Sequence, residues 1–150
     1  MTAIAADRTE TGYRGLLELA EFVGYPPEPF QRRIARAALG GQREVLVSIG
    51  RGNAKTSSTA LLALHELVSN QDARIYFVAA SVPQARIAFE SAAEFARRLD
   101  DPQIVFRHLE LRWCEDPDEP TRFSRHLRVL GAEGPRLHGL TPTLMLLDEL

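Results

Sequence analysis

An α/β fold, with a mostly parallel sheet flanked by helices, is what this sequence predicts, and three stretches carry that reading. Arg43-Glu44-Val45-Leu46-Val47-Ser48-Ile49 is a short β-branched apolar run of the kind that fills a buried strand. Beyond a glycine-bearing loop, Thr56-Ser57-Ser58-Thr59-Ala60-Leu61-Leu62-Ala63-Leu64 places apolar residues at helical spacing. Near the end, Thr143-Leu144-Met145-Leu146-Leu147 runs straight into Asp148-Glu149, as a buried strand does when it delivers acids at its C-terminal edge.

The remaining elements follow in order. Residues 1–11 are expected to be mobile, and residues 13–23 have the apolar spacing of a short helix. Gly24-Tyr25-Pro26-Pro27-Glu28-Pro29 breaks it. Residues 30–39 resume as a helix that stops at Gly40-Gly41, because glycine takes the backbone conformation that ends helices. Residues 43–49 then form the first predicted strand and residues 56–68 the helix after it. Residues 73–80 are a second buried strand. Ser81-Val82-Pro83-Gln84 is a capping-box start, with proline in the first turn, for a helix running to about Leu99 and ended by Asp100-Asp101-Pro102. Residues 104–106 and 126–130 are candidate strands, with the acidic Glu115-Asp116-Pro117-Asp118-Glu119-Pro120 as a solvated turn between them. Residues 131–141 are a flexible approach to the carboxylate strand.

Composition sets bounds. A chain of 150 residues holds one domain at most, able to bury roughly 68–70% of its unfolded surface if the fold is complete. The net charge of −2 gives no overall basic footprint, so any contact with nucleic acid must be local. Cys114 is the single cysteine, which rules out an intrachain disulfide and suits a reducing cytoplasm. No signal-peptide pattern is present, and no apolar run approaches the ~20 residues of a membrane span. His65, His108, His126 and His138 have no metal-ligand spacing among themselves or with Cys114, and Trp113 reads as local packing.

The chemistry centres on Lys55. It is the only lysine among 18 basic residues and sits in Ile49-Gly50-Arg51-Gly52-Asn53-Ala54-Lys55-Thr56-Ser57. An ammonium is a compact point charge that enters a backbone cradle and sits between phosphates, whereas a guanidinium is a wide planar fork. Strand, glycine loop, lysine with hydroxyl, and helix form the context of a phosphate-binding P-loop, so the fold class sharpens to a P-loop NTPase. Loop amides and the first helical turn converge on one anion, and the Thr56 hydroxyl suits Mg²⁺. The strict pattern G-x-x-x-x-G-K-[ST] is missed twice, at Ile49 and at Ala54. In the acidic motif, Asp148 can hold Mg²⁺ through water, and Glu149 can orient and deprotonate an attacking water.

Together these motifs resemble the large terminase subunit of tailed double-stranded DNA phages, over residues 26–150. Arg51-Gly52-Asn53 before the lysine is similar to that family's shortened P-loop, which starts one residue later than the strict pattern and carries an early arginine; at Ala54 the family usually has glycine. Pro29-Phe30-Gln31 resembles its adenine-binding element, and a glutamine amide can pair with adenine's N6 and N7 edge. Ala79-Ala80-Ser81-Val82-Pro83-Gln84 and Gly139-Leu140-Thr141-Pro142 resemble the segments after the second strand and before the acidic motif. The resemblance implies an ATPase motor that uses ATP and Mg²⁺ to move double-stranded DNA into a procapsid, in the cytoplasm of a bacterial host.

Further expectations rest on the same likeness. Gly50, Arg51, Gly52, Asn53, Ala54, Lys55, Thr56, Ser57 and Gln31 would bind nucleotide. Thr56 and Asp148 would hold the metal, and Glu149, Arg51 and Lys55 would act in catalysis, Arg51 as charge stabiliser. Partners would be the portal protein, the small terminase subunit and further copies in a ring, with no membrane. The implied organisation is an N-terminal extension over residues 1–25 and a partial P-loop domain over 26–150, truncated after the acidic (Walker B) strand, with the nuclease domain absent. Two other readings stay open: a superfamily 2 helicase-like ATPase, whose acidic motif is also Asp-Glu, and a non-catalytic nucleotide-binding fragment of a split gene.

Overall fold

A computed structural model describes residues 2–42, 44–48, 54–132 and 138–148, with the backbone alone over residues 2–11. Helices α1 (Thr2–Phe22), α2 (Pro29–Leu39) and α3 (Lys55–Ser69) precede strand β1 (Arg74–Ala79) and helix α4 (Val82–Leu99). Strands β2 (Ile104–Arg107), β3 (Glu110–Trp113), β4 (Arg125–Gly131) and β5 (Leu144–Asp148) complete one sheet of order β2-β3-β4-β1-β5.

The sheet is mixed rather than mostly parallel. β1 pairs in parallel with β4 on one side and β5 on the other, whereas β2–β3 and β3–β4 are antiparallel. The reason is a hairpin the sequence hides: His108-Leu109 turns the chain, with Leu109 left-handed (φ 53°), and the strand it starts at Glu110 falls where the sequence marks no element. The acidic run therefore joins β3 to β4, not β2 to β4.

Two further expectations are corrected. α1 begins at Thr2, well before the helix start expected at Tyr13. Residues 44–48, expected as the first strand, form none; Leu46 is 96% exposed. A β-branched run becomes a strand when a partner and a covering layer are supplied, and exposed Val45 and Leu46 have no such layer.

Strand alternation sorts the sheet into two faces. Ile75, Phe77, Ala79, Leu111 and Leu127 face the helices and join Leu61, Leu64 and Leu67 of α3 and Phe89, Ala92 and Ala96 of α4 in one core. α3 and α4 lie against each other and against β1 and β4, and α1 and α2 pack on α3. Leu16, Leu19 and Ala20 of α1, and Val23 just after it, belong to this same core.

The opposite face carries Tyr76, His126, Glu110, Arg112 and Arg128. There Glu110 accepts from Arg128 (2.8 Å) and Arg112 (3.1 Å), and the Arg112 guanidinium stacks 4.3 Å from the Phe123 ring. Among the described residues no helix is long and apolar enough to cross a membrane.

Candidate functional site

The sheet register places the acidic end. At the start of β1, Arg74 donates its amide to the Thr143 hydroxyl (2.9 Å) and its side-chain Nε to the Thr141 carbonyl (2.6 Å), and Thr143 donates its own amide back to the Arg74 carbonyl (2.9 Å). With that end pinned, the parallel ladder puts Asp148 opposite Ala79 at the last rung. Both stand at the C-terminal edge, where open α/β sheets bind ligands.

The direction of α3 brings Lys55 to the same edge. Arg125, the first residue of β4, donates to the carbonyls of Leu67 (3.1 Å) and Val68 (2.9 Å) in the last turn of α3. The end of α3 is thereby tied to the N-terminal edge of the parallel strands. A helix of 15 residues spans ~22 Å, about the length of the strands it crosses, so its first turn is directed toward the opposite edge, the one at which β5 ends.

That first turn is built for an anion. Lys55 is its first residue, Thr56 and Ser57 follow, and the amides of a helix's opening turn lack intrahelical acceptors. The helix dipole adds to their attraction for negative charge. The turn that feeds it is left-handed at Ala54 (φ 51°), a conformation that costs an L-residue roughly 1–2 kcal/mol. The Ala54 carbonyl is held by the Ser58 amide (3.1 Å), the Ser58 hydroxyl (3.1 Å) and the Gln31 side-chain amide (3.3 Å).

Of the residues singled out in the sequence, Ala54, Lys55, Thr56, Ser57 and Asp148 are gathered toward one edge. Gln31 lies behind it, buried, with its amide engaged by protein groups. Gly50, Arg51, Gly52, Asn53 and Glu149 lie outside the described residues. Sequence reasoning passed over Ser58, Tyr25 and Arg125. Ser58 carried a local signal, a hydroxyl four residues after Ala54, whereas Arg125 lies far along the chain from the helix end it binds.

Among the described residues no group of three or more His, Cys, Asp or Glu side chains comes together as a metal site. Cys114 is buried, and burial raises its thiol pKa. His126 is buried against Tyr76, its Nε2 3.1 Å from the phenol oxygen, and burial with the nearby Arg128 charge pushes its pKa down to about 4. Burial likewise lowers His65.

No family model matches the sequence, and no curated protein does. Solved structures do. The large terminase ATPase domain of a Thermus phage, in an arginine-to-alanine mutant, superposes with a TM-score of 0.71 at 23% identity, covering 86% of this chain and 56% of that one. The fold is that of a phage large terminase ATPase domain. The same Thermus phage domain without the mutation gives a TM-score of 0.68 at 23% identity. The HK97 bacteriophage large terminase gives 0.66 at 25% identity over 91% of this chain and 31% of its own. This chain therefore spans about half the length of the Thermus phage domains and about a third of the HK97 protein. Against this terminase fold, the edge holding Lys55 and Asp148 is the natural place to look for function.

Proposed function

We propose that this chain is the ATP-hydrolysing motor part of a phage or prophage large terminase, which couples hydrolysis to the movement of double-stranded DNA into a procapsid. The observation that carries the reading is the convergence of the α3 N-terminus, bearing Lys55 and Thr56, with the end of β5, bearing Asp148, at one edge of a sheet with the terminase ATPase fold.

Each residue has a role that follows from its chemistry. Lys55 neutralises the terminal phosphates as a point charge, and the first-turn amides hold their oxygens. The Thr56 hydroxyl, and the Asp148 carboxylate through water, would hold Mg²⁺, which binds few protein oxygens and keeps several waters. Glu149 takes the proton of the attacking water as its oxygen bonds to the terminal phosphorus and the bond to the leaving phosphate oxygen breaks. Arg51 stabilises the charge that spreads onto the transferred group. Gly50, Gly52, Asn53 and Ser57 complete the cradle. The portal protein, the small terminase subunit and further copies of the motor are the partners this role requires.

Phosphate release from ATP by the gene product that carries this chain tests the reading. Lys55→Ala should abolish both binding and turnover, and Lys55→Arg should lose turnover as well. Glu149→Gln should bind nucleotide normally and release no phosphate, because the glutamate acts on water and not on the ground-state phosphates. Near-normal turnover in Lys55→Arg would remove the argument from the lone lysine.

A further inference from the structure

Gln31 stands in the segment expected to read adenine, yet all its hydrogen-bonding groups are turned inward. The side chain is 3% exposed. Its Oε1 accepts the Glu28 amide (2.8 Å), and its Nε2 reaches the Tyr25 hydroxyl (3.3 Å) and the Ala54 carbonyl (3.3 Å). A primary amide has two N–H donors, and both are used here.

The orientation of this amide is fixed by its neighbours. The Glu28 backbone N–H can only donate and the Ala54 carbonyl can only accept, so exchanging the amide's oxygen and nitrogen would break both contacts. Bidentate pairing with a base edge needs a donor and an acceptor together on an open side. Gln31 offers neither. The small cavity beside it, lined by Leu16, Pro27, Ala35 and Leu61 among others, has a volume of ≈ 10 Å³, which takes one water and not a purine.

What Gln31 does touch is the hinge of the phosphate site. Ala54 is an L-residue in a left-handed turn, and such a conformation persists when its surroundings over-determine it. Among the described residues Gln31 supplies the one side-chain grip on the Ala54 carbonyl that comes from outside α3; the other two donors belong to Ser58. Tyr25, which backs Gln31, packs its ring 5.3 Å from Phe95 of α4. A chain of contacts thus runs from α4 through Tyr25 and Gln31 to the residue before Lys55.

We propose that Gln31 is a positioning residue: it clamps the Ala54 carbonyl, sets the turn from which Lys55 and Thr56 are presented, and does not itself read the base. The role rests on the nucleotide reading of Lys55, and the test separates the two. Gln31→Met keeps the length and apolar packing and removes the amide. In the nucleotide-free protein, exchange of the Ser58 amide, which shares the Ala54 carbonyl, should speed up by about tenfold while exchange at Leu64 in the same helix is unchanged. Affinities for ATP, GTP and tripolyphosphate should all fall by a similar factor, about tenfold. Tyr25→Phe, which removes only the hydroxyl, should move all three ligands in the same direction by less, and it stands in if Gln31→Met does not fold.

Loss of ATP affinity with GTP and tripolyphosphate untouched would restore base reading and overturn the proposal. Unchanged exchange at Ser58 would overturn it too. If the unmutated protein binds none of the three ligands, the nucleotide reading falls, and the Ser58 exchange alone decides whether the clamp exists.

Discussion

Arg125 holds the Leu67 carbonyl at 3.1 Å, and that contact ties the last turn of the lysine-bearing helix α3 to the first residue of β4. The same guanidinium donates to Val68 and stacks 4.4 Å from the Trp113 ring, so one side chain caps a helix, stacks on an aromatic and anchors a strand. Arg125→Ala leaves two carbonyls without this donor and should lower stability by about 2 kcal/mol. Arg125→Lys should recover only part of that, because an ammonium lacks the planar face that stacks on Trp113. Chemical denaturation of the three proteins gives the comparison, and equal midpoints would show that α3 is oriented by its apolar face alone.

Acidification should destabilise the fold through its buried imidazoles. His126 has a folded pKa of about 4 against an ordinary value of 6.5, so between those values the unfolded chain binds a proton that the folded chain refuses. Stability is therefore full above pH 6.5 and is lost as pH falls toward 4. The loss has an upper bound of about 3 kcal/mol, which solvent screening reduces. His65 acts in the same direction. Burial alone would raise Glu110, but its hydrogen bonds from Arg112 and Arg128 hold it below its ordinary value, so its protonation on acidification costs stability in the same direction. His126→Gln should flatten the fall in melting temperature between pH 7 and pH 5; an unaltered slope would acquit His126.

Ala54→Gly should tighten nucleotide binding slightly or leave it unchanged. Glycine enters the left-handed region at no steric cost, which recovers roughly 1 kcal/mol, but it also frees the unfolded chain and gives some of that back. Titration with a fluorescent ATP analogue measures the balance. A clear loss of affinity would show that the alanine methyl group itself supports the turn.

The outer edge of β5 has no partner strand among the described residues, and Leu147 on it is 59% exposed. An unpaired apolar edge templates pairing with another chain. The chain should therefore self-associate as its concentration rises, and Leu147→Lys should shift it toward monomer. Sedimentation at several concentrations reads this directly, with identical profiles for the two proteins as the contrary result.

Much of the fold was legible because its signals were local. The stop at Gly40, the helix from Val82 to Leu99 and the apolar run of β5 each depend on residues within a turn or two of one another. The same holds for the lone lysine and for the paired carboxylates after Leu147, since residue type and spacing are enough to mark them.

Tertiary structure decided the rest, because the deciding partners are distant in sequence. Residues 44–48 have the composition of a strand and no strand beside them. Glu110 begins a strand that only pairing with Arg107 and Arg128 reveals. Gln31 has the right chemistry to read a base, and only the fold sets the Ala54 carbonyl, 23 residues away, within its reach. By itself the sequence determined which groups could meet a phosphate. The tertiary structure determined that Lys55 and Asp148 share one edge, because the end of α3 and the strand register are tied by contacts such as Arg125 with Leu67 and Arg74 with Thr143, which no local pattern encodes.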